Sequence, residues 1–486
     1  MYNFNMNEKK KNTFFNKYFL SAYLIILIGF LIRYYYFIGV DAWFDEWNML
    51  YTVDPTISYD ETWKRYYGDR GDHFLPEYYP PLYAFLLKSF LGTFGYYVEN
   101  ARLLSLIFGS ATLILVFYLA KVFTNLQNSL VATILVSLNL FLIWQSSEIR
   151  PHGFVLFFSL LSIIFFLKLF NQNGLQNRIF SILYVLFSVI LLSSWPFVLL
   201  IFFGKFIYLF HEFIINKKKN IYIFSCIIVS LVIYVVLNYE YLLYHLSRDE
   251  HYTKLFLGFF YSYHFRSFFG SIILGAIFLL LFGFIILSNL KKIIFNSKKE
   301  NLLLFIIISS YLLTIIYSIL SAGVISPKYV IFILPLIIIW MTIKIGESNI
   351  KFKNYLLIAL IFSSALNCII NFHNIPIDRP PTKKALEIIS NSDTSKILTR
   401  DTIVFNNFVS TNKIFVKNNL SIDKIKDINL IKEDFWFLCL NNARFALGDN
   451  NLPDHKNCRS PDNTNFIILE KQIRLPDYLL KKYVNR

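Results

Sequence analysis

The chain is short of charge. Only 16% of its 486 residues are Asp, Glu, Lys or Arg, against about 25% in soluble globular domains. Its four cysteines are scattered, which excludes a disulfide-built scaffold and any zinc motif of the CxxC kind. It has no GxGxxG, P-loop or G-x-S-x-G motif, so a cytosolic nucleotide has no cradle here. HxH and HExxH spacings are missing too. What it has instead is apolar surface: 56% apolar residues, 19% aromatic, with 52 Phe and 32 Tyr. The mean hydropathy is +0.50. That balance excludes a soluble enzyme, a disordered chain and a small secreted domain, and leaves a polytopic membrane protein.

The net charge is +16, yet its distribution is wrong for nucleic acid. The lysines stand in short clusters between apolar runs: Lys9–Lys11, Lys217–Lys219, Lys291 with Lys292, Lys298 with Lys299, Lys351 with Lys353. There is no continuous basic helix and no nucleic-acid module. A helix needs about 20 apolar residues to cross the hydrocarbon core. Runs of that kind predict about eleven spans, near 18–40, 101–123, 129–146, 152–170, 179–195, 197–213, 221–240, 269–289, 302–320, 329–346 and 354–371. The first is too long, and too closely followed by others, for a cleaved signal peptide. The pair interrupted by Ser193-Ser194-Trp195-Pro196 also reads as one broken hairpin, because Pro196 disfavours helix at the residue before it. With Lys9–Lys11 and Lys17 inside, alternation brings Lys121, Arg178, Lys217–Lys219, Lys291–Lys299 and Lys344–Lys353 inside as well, as the positive-inside rule requires.

This topology leaves 41–100, 147–151, 241–268, 321–328 and the tail from about 372 outside. The expected division is a transmembrane catalytic domain over 1–371, with 41–100 as its first outer acidic loop, and an extracytoplasmic α/β domain over 372–486. Pro376, Pro380 and Pro381 mark the linker. In the tail, Lys383–Ser390 reads as a helix, and the later runs, from Thr402-Ile-Val-Phe to Phe435–Cys439, read as strands. Cys439 and Cys458 are either a pair, in an oxidising compartment, or two separate thiols. Cys226 and Cys368 fall within spans and read as packing.

The first outer loop is an acidic island in a basic protein. Asp41, Asp45, Glu46, Asp54, Asp60, Glu61, Asp69, Asp72 and Glu77 stand there against Lys64, Arg65 and Arg70. Asp45-Glu46 sits between Trp43 and Trp47 just past the first span. Carboxylates held among tryptophans at a membrane surface are partly desolvated, which raises their basicity and suits a general base. A solvated acidic loop flanked by interfacial tryptophans fits the same residues. Tyr79-Pro80-Pro81-Leu82 then sets a rigid turn before a stretch to Phe94 that is too short for a span and is placed on the surface. Arg102, Arg150 and Lys328 all fall at the outer membrane face, against the general bias. Cations there suit an anionic lipid phosphate; snorkelling side chains, or a Glu148–Arg150 pair, are the plainer alternatives. His73, His152, His245, His251 and His264 fall outside and, with the loop acids, leave room for a divalent cation that no spacing demands.

Taken in order, these elements resemble a known family. An Asp-Glu pair after the first span, Pro-Pro-Leu-Tyr, Asn-Ala-Arg-Leu-Leu-Ser opening the second span, Glu-x-Arg-Pro entering the fourth, and Pro-Lys-Tyr-Val…Leu-Pro entering a late one are similar to the membrane-embedded GT-C glycosyltransferases. The nearest branch is the group of protein O-mannosyltransferases, lipid A aminoarabinose transferases and lipopolysaccharide-core glycosyltransferases. The resemblance covers residues 18 to about 345. It implies an all-α polytopic membrane protein of GT-C type in the bacterial inner membrane. It also implies a polyprenyl-phosphate sugar donor and a lipid, glycan or protein acceptor on the extracytoplasmic face. By position, Asp45 would be the base that deprotonates the acceptor, and Glu46 would orient the acceptor or support the base. Arg102, Arg150 and Lys328 would hold the donor phosphate, and Tyr79, Glu148, His152 and Tyr329 would line the acceptor and sugar pocket. Two departures stand out: Tyr79 where many relatives have His, and Lys328 where an Arg is common. The first puts that histidine's role, metal binding included, in doubt; the second keeps the charge and loses the bidentate fork. A transporter or lipid flippase is the rival. It would carry charges deep in its spans and a repeat relating two halves, whereas here the spans read as nearly free of ionisable groups at mid-depth. A cell-surface polysaccharide polymerase or ligase would instead use arginines of a late outer loop, such as Arg248 and Arg266.

Overall fold

The computed structural model describes residues 8–38, 42–67, 79–170, 175–217, 220–246, 265–296, 298–320, 326–348, 351–372, 381–399, 402–411, 420–424, 433–440, 467–475 and 478–485. In chain order its helices are α1 (Glu8–Ile38), α2 (Phe44–Thr52), α3 (Tyr59–Tyr67), α4 (Leu82–Phe94), α5 (Val98–Phe123), α6 (Leu126–Ser137), α7 (Leu140–Gln145), α8 (His152–Lys168), α9 (Leu175–Leu192), α10 (Leu199–Asn216), α11 (Ile221–Leu237), α12 (Tyr239–Leu246), α13 (Phe265–Phe269), α14 (Ile272–Phe295), α15 (Asn301–Leu320), α16 (Ile333–Glu347), α17 (Lys353–Asn371), α18 (Thr382–Ser390) and α19 (Thr402–Thr411). The strands are β1 (Lys396–Thr399), β2 (Ser421–Lys424), β3 (Phe435–Leu440), β4 (Ile467–Arg474) and β5 (Tyr478–Asn485).

Among the described residues six helices are long and apolar enough to cross a bilayer, and five shorter apolar helices accompany them. The protein is a multi-pass integral membrane protein. The predicted span at 129–146 is two helices, α6 and α7, because Asn139 turns its side chain on its own backbone. Its Oδ1 accepts from the Leu142 N–H at 3.0 Å and its amide donates to the Phe268 carbonyl at 2.8 Å. An N-cap of that kind starts a new helix instead of continuing the old one. The predicted span at 329–346 starts its helix only at Ile333, after turns over 327–332. At Pro196 the chain makes one 3-10 turn, Pro196–Val198, between α9 and α10.

The chain folds as two compact units. One comprises residues 1–37, 78–83 and 105–372. Its helices approach to backbone contact where a side chain is absent: a Cβ on Gly204 of α10 would lie 2.6 Å from the Ile306 Cα of α15. Small residues admit such crossings in membranes, where packing replaces the hydrophobic drive. Arg33 and Lys205 are among the cations buried within these helices, so the spans are less free of charge than the sequence suggests. Arg33 of α1 is 1% exposed and donates to Gly29 O at 3.0 Å, Ser137 O at 3.2 Å and Val136 O at 3.3 Å. The last two lie at the end of α6, where Val136 O also accepts from the Asn139 N–H at 3.4 Å, and the positive charge complements the helix's negative pole. Lys205 of α10 donates to Ser162 Oγ at 2.7 Å and lies 4.7 Å from the centroids of both Tyr184 and Phe202. Its charge is met by two hydroxyls, the second that of Tyr184 at 3.4 Å, and by ring faces.

The other unit comprises residues 38–77, 84–104 and 373–486. Its sheet runs β2-β1-β3-β5-β4, with β1 parallel to β2 and β3 and the β3–β5 and β5–β4 pairs antiparallel. β3 is central, and its residues from Phe435 to Cys439 are buried on both faces, as expected for a near-continuous apolar run between neighbours. Phe435, Phe437 and Cys439 pack with Leu398 and Tyr483, and Trp436 Nε1 donates to Ser392 Oγ at 2.8 Å. The helix expected at Lys383–Ser390 forms as α18. The run opening with Thr402 is helical, not a strand: Phe405, Phe408 and Thr411 are buried at a spacing of three, a helix period that four residues cannot display. Cys439 is disulfide-bonded, while Cys226 and Cys368 are buried free thiols; Cys458 lies outside the described residues.

Replacing Arg33 by Met keeps the length of the side chain and removes the donor to the Ser137 carbonyl at the end of α6. The expected cost is about 1–3 kcal/mol, from a buried acceptor losing its donor, read as a lowered melting temperature in detergent. An unchanged transition would show that the end of α6 does not need this arginine.

Candidate active site

The Asp45-Glu46 pair opens α2, where the helix's positive pole favours carboxylates. The two neighbours have different surroundings. Glu46 is fully buried and spends both oxygens: Oε1 accepts from Arg102 Nε at 2.9 Å and Oε2 from Arg102 Nη2 at 2.8 Å. This is the bidentate, charge-assisted geometry that arginine forms best. Oε2 also lies 3.3 Å from the Trp43 N–H, which donates to it at the head of the helix. Asp45 is half-buried. The far end of α2 is held as firmly. The Leu50 carbonyl accepts from the Tyr96 hydroxyl at 2.8 Å, and the Tyr51 carbonyl from Arg65 Nη1 at 2.9 Å. Arg65 also lies over the Tyr51 ring at 4.2 Å. Burial pushes the Tyr96 hydroxyl well above its ordinary pKa, so it stays a neutral donor. Trp47 is buried edge-on against Phe408 of α19 at 5.6 Å, which fixes the helix's orientation within this unit. Asp41, Asp69, Arg70, Asp72, His73 and Glu77 lie outside the described residues.

In the other unit, Trp195 gathers a second set. Its ring stacks on Tyr79 at 4.3 Å and meets His152 edge-on at 5.2 Å. Its Nε1 donates to the Tyr329 carbonyl at 2.9 Å. Tyr329 in turn stacks on Phe197 at 4.6 Å. The link from α7 to α8 passes through this set and is buried throughout: Glu148 0%, Arg150 6% and His152 2% exposed. Glu148 Oε2 lies 3.5 Å from His152 Nδ1. The Arg150 guanidinium lies 5.8 Å from the centre of the Tyr79 ring, and the Arg150 carbonyl accepts from Ser105 Oγ at 3.3 Å. A Cβ on Gly153 would lie 2.8 Å from the Ser105 carbonyl, so the glycine lets α8 start against α5. The charges of Lys328 and Arg150 both bear on His152.

Of the residues singled out in the sequence, Tyr79, Glu148, Arg150, His152, Lys328 and Tyr329 fall in one unit, and Asp45, Glu46 and Arg102 in the other. Six of the nine thus share one compact body, although they are spread over 250 residues of chain. Trp195, the residue that touches three of them, reads in the sequence only as part of a helix break. Its signal was the interruption itself: an aromatic before proline, between two apolar runs, with nothing to make it lipid-facing. Among the described residues no three His, Cys, Asp or Glu side chains gather as metal ligands; His251, His264 and Arg248 lie outside the described residues.

No model of a known protein family matches the chain, and no curated protein matches it by sequence. Its fold does match solved structures. The apo crystal structure of ArnT from Cupriavidus metallidurans superposes with a TM-score of 0.59 at 8% identity, over 94% of this chain and 97% of that one. The structure of the same enzyme bound to undecaprenyl phosphate superposes with a TM-score of 0.55 at 9% identity, over the same shares. The fold is of the GT-C type. At such low identity the GT-C fold is what the likeness establishes, and it agrees with the resemblance read from the motifs. No residue role follows from it.

Glu46→Gln leaves the Arg102 guanidinium buried beside a neutral amide, and Arg102→Met leaves Glu46 buried without the Arg102 counter-charge. Each is expected to cost about 3–5 kcal/mol. The double variant should cost clearly less than the two together, because no uncompensated charge remains. Thermal unfolding of the four proteins in one detergent measures the coupling; strict additivity would contradict the pair.

Proposed function

We propose that the protein is an inverting glycosyltransferase that moves a sugar from a polyprenyl-phosphate donor to a lipid, glycan or protein acceptor. The observation that carries this reading is the division of labour between the two adjacent acids. Glu46 is fully buried with both oxygens on Arg102 and the Trp43 N–H, whereas Asp45 beside it is half-buried and is the acid assigned to proton transfer. The fold supports the donor class, since the ArnT structure it resembles was solved with undecaprenyl phosphate bound.

In this reading the acceptor nucleophile attacks the anomeric carbon of the sugar. Asp45 takes its proton, and the bond from that carbon to the phosphate oxygen breaks. The electron pair leaves with the polyprenyl phosphate, and direct attack inverts the anomeric centre. Arg150 and Lys328 hold the phosphate and stabilise its growing charge. Arg102 lends positive charge but not its fork, which Glu46 occupies. Lys328 binds as a point charge with no fixed plane. Tyr79 and Tyr329, ordered by Trp195, together with Glu148 and His152, line the sugar and acceptor pocket. The Cys439 disulfide supports an oxidising compartment for the tail, in keeping with lysine clusters on the cytoplasmic side of a bacterial inner membrane and chemistry outside it.

The test is transfer of radiolabelled sugar from a pool of polyprenyl-phosphate donors to any product in membranes, with variants at matched protein levels. Asp45→Asn is expected to lower transfer by about 10²–10⁴-fold, the range of general-base catalysis, with an unchanged melting temperature. Arg150→Ala and Lys328→Ala should instead weaken donor binding. Full activity in Asp45→Asn would remove the base assignment. No transfer in the wild type across a broad donor pool would count against the enzyme reading and call for a flux assay.

A further inference from the structure

The hairpin of α10 and α11 carries an apolar groove of about 300 Å³. From α10 it is lined by Phe206, Leu209, Phe210 and Phe213, and from α11 by Ile221 and Phe224. The α10 residues follow the spacing of one helix face. Phe206 and Phe224 meet edge-on at 5.4 Å. Phe210 and Ile221 are 64% and 66% exposed, so the groove opens outward from the hairpin, whose α10 is long and apolar enough to cross the bilayer.

One end of the groove is polar in a specific way. Asn220 lines it and stands at the N-cap of α11, yet its side chain makes no cap hydrogen bond. Among the described residues its Nδ2 is buried without a partner. A buried amide donor with no acceptor costs free energy, and Asn normally spends its side chain on the cap. The same turn is basic. Lys217 is exposed and ends α10 in a left-handed conformation, φ 55°, and it begins the triplet Lys217–Lys219 in the sequence. Glu212, the acid of α10, takes the Asn216 amide at 2.9 Å. The start of α11 adds the positive pole of a helix.

From these features we infer that the groove is a binding site for an anionic glycerophospholipid of the leaflet on the lysine-rich side. One acyl chain lies along the phenylalanines, an ester carbonyl accepts from Asn220 Nδ2, and the phosphate lies at Lys217. Charge complementarity selects the lipid: apolar contact alone would take any chain, and the lysine with the helix pole favours an anionic headgroup. The inference rests on the chain crossing a bilayer and not on sugar transfer.

The test uses the full-length protein in nanodiscs of phosphatidylcholine and phosphatidylglycerol, transferred to detergent and weighed by native mass spectrometry. The wild type is expected to retain one phosphatidylglycerol. Ile221→Trp, an exposed position where a larger ring fills the groove, should lower retention about tenfold, and Lys217→Gln should reduce the preference over phosphatidylcholine about fivefold. Melting temperatures control for folding, and no sugar donor is needed. Equal retention in Ile221→Trp overturns the site. So does a lipid-free wild type, or a lipid-free dimer that Ile221→Trp dissociates, which would make a second copy of the chain the occupant.

Discussion

A charge taken out of water has to be met by oriented acceptors, and this protein meets that demand repeatedly with arginine. Arg33 closes the end of α6, Arg65 closes the end of α2, and Arg102 grips Glu46 with two parallel bonds. In each case a rigid guanidinium with several donors holds a helix end whose backbone or side-chain groups would otherwise be stranded. Lys205 is held differently: it is compact enough to sit among rings with the Ser162 and Tyr184 hydroxyls. The helices are apolar and would pack in many registers; these polar anchors select one.

The same economy explains how two neighbouring carboxylates come to differ. Asp45 and Glu46 share a helix turn and a helix pole, yet Glu46 is fully buried against Arg102 and Asp45 is half-buried. The proposed reaction asks for one acid that stays put and one that takes a proton, and burial is what distinguishes the two. Trp195 has the corresponding role in the other unit. By stacking, edge contact and one N–H it ties the Tyr79 turn, the head of α8 and the Lys328–Tyr329 turn to a single ring.

Much of this is legible in the sequence. The spans show because long apolar runs with so few charges suit little but a bilayer, and the motif residues stand out because they are charged where the chain is otherwise apolar. The misses share a cause: each depends on a partner with no sequence signature. Arg33 bonds to carbonyls, which every residue has. Asn139 breaks a span through its own backbone. The Glu46–Arg102 pair joins residues 56 positions apart, each of which suggests a different role when read alone. The α19 helix hides because its first four residues carry no period, and its buried face appears only when Phe405, Phe408 and Thr411 are taken together.

The unit that holds Asp45 is discontinuous: its first pieces lie near the start of the chain, and its sheet and α19 come from the end. Trp47, two residues from the candidate base, therefore has to wait for Phe408 until nearly the whole membrane domain has been synthesised and inserted. A nascent or truncated chain would display α2 with its tryptophan uncovered. The order of synthesis thus makes the candidate base among the last parts of the protein to be assembled, and ties its maturation to completion of the tail.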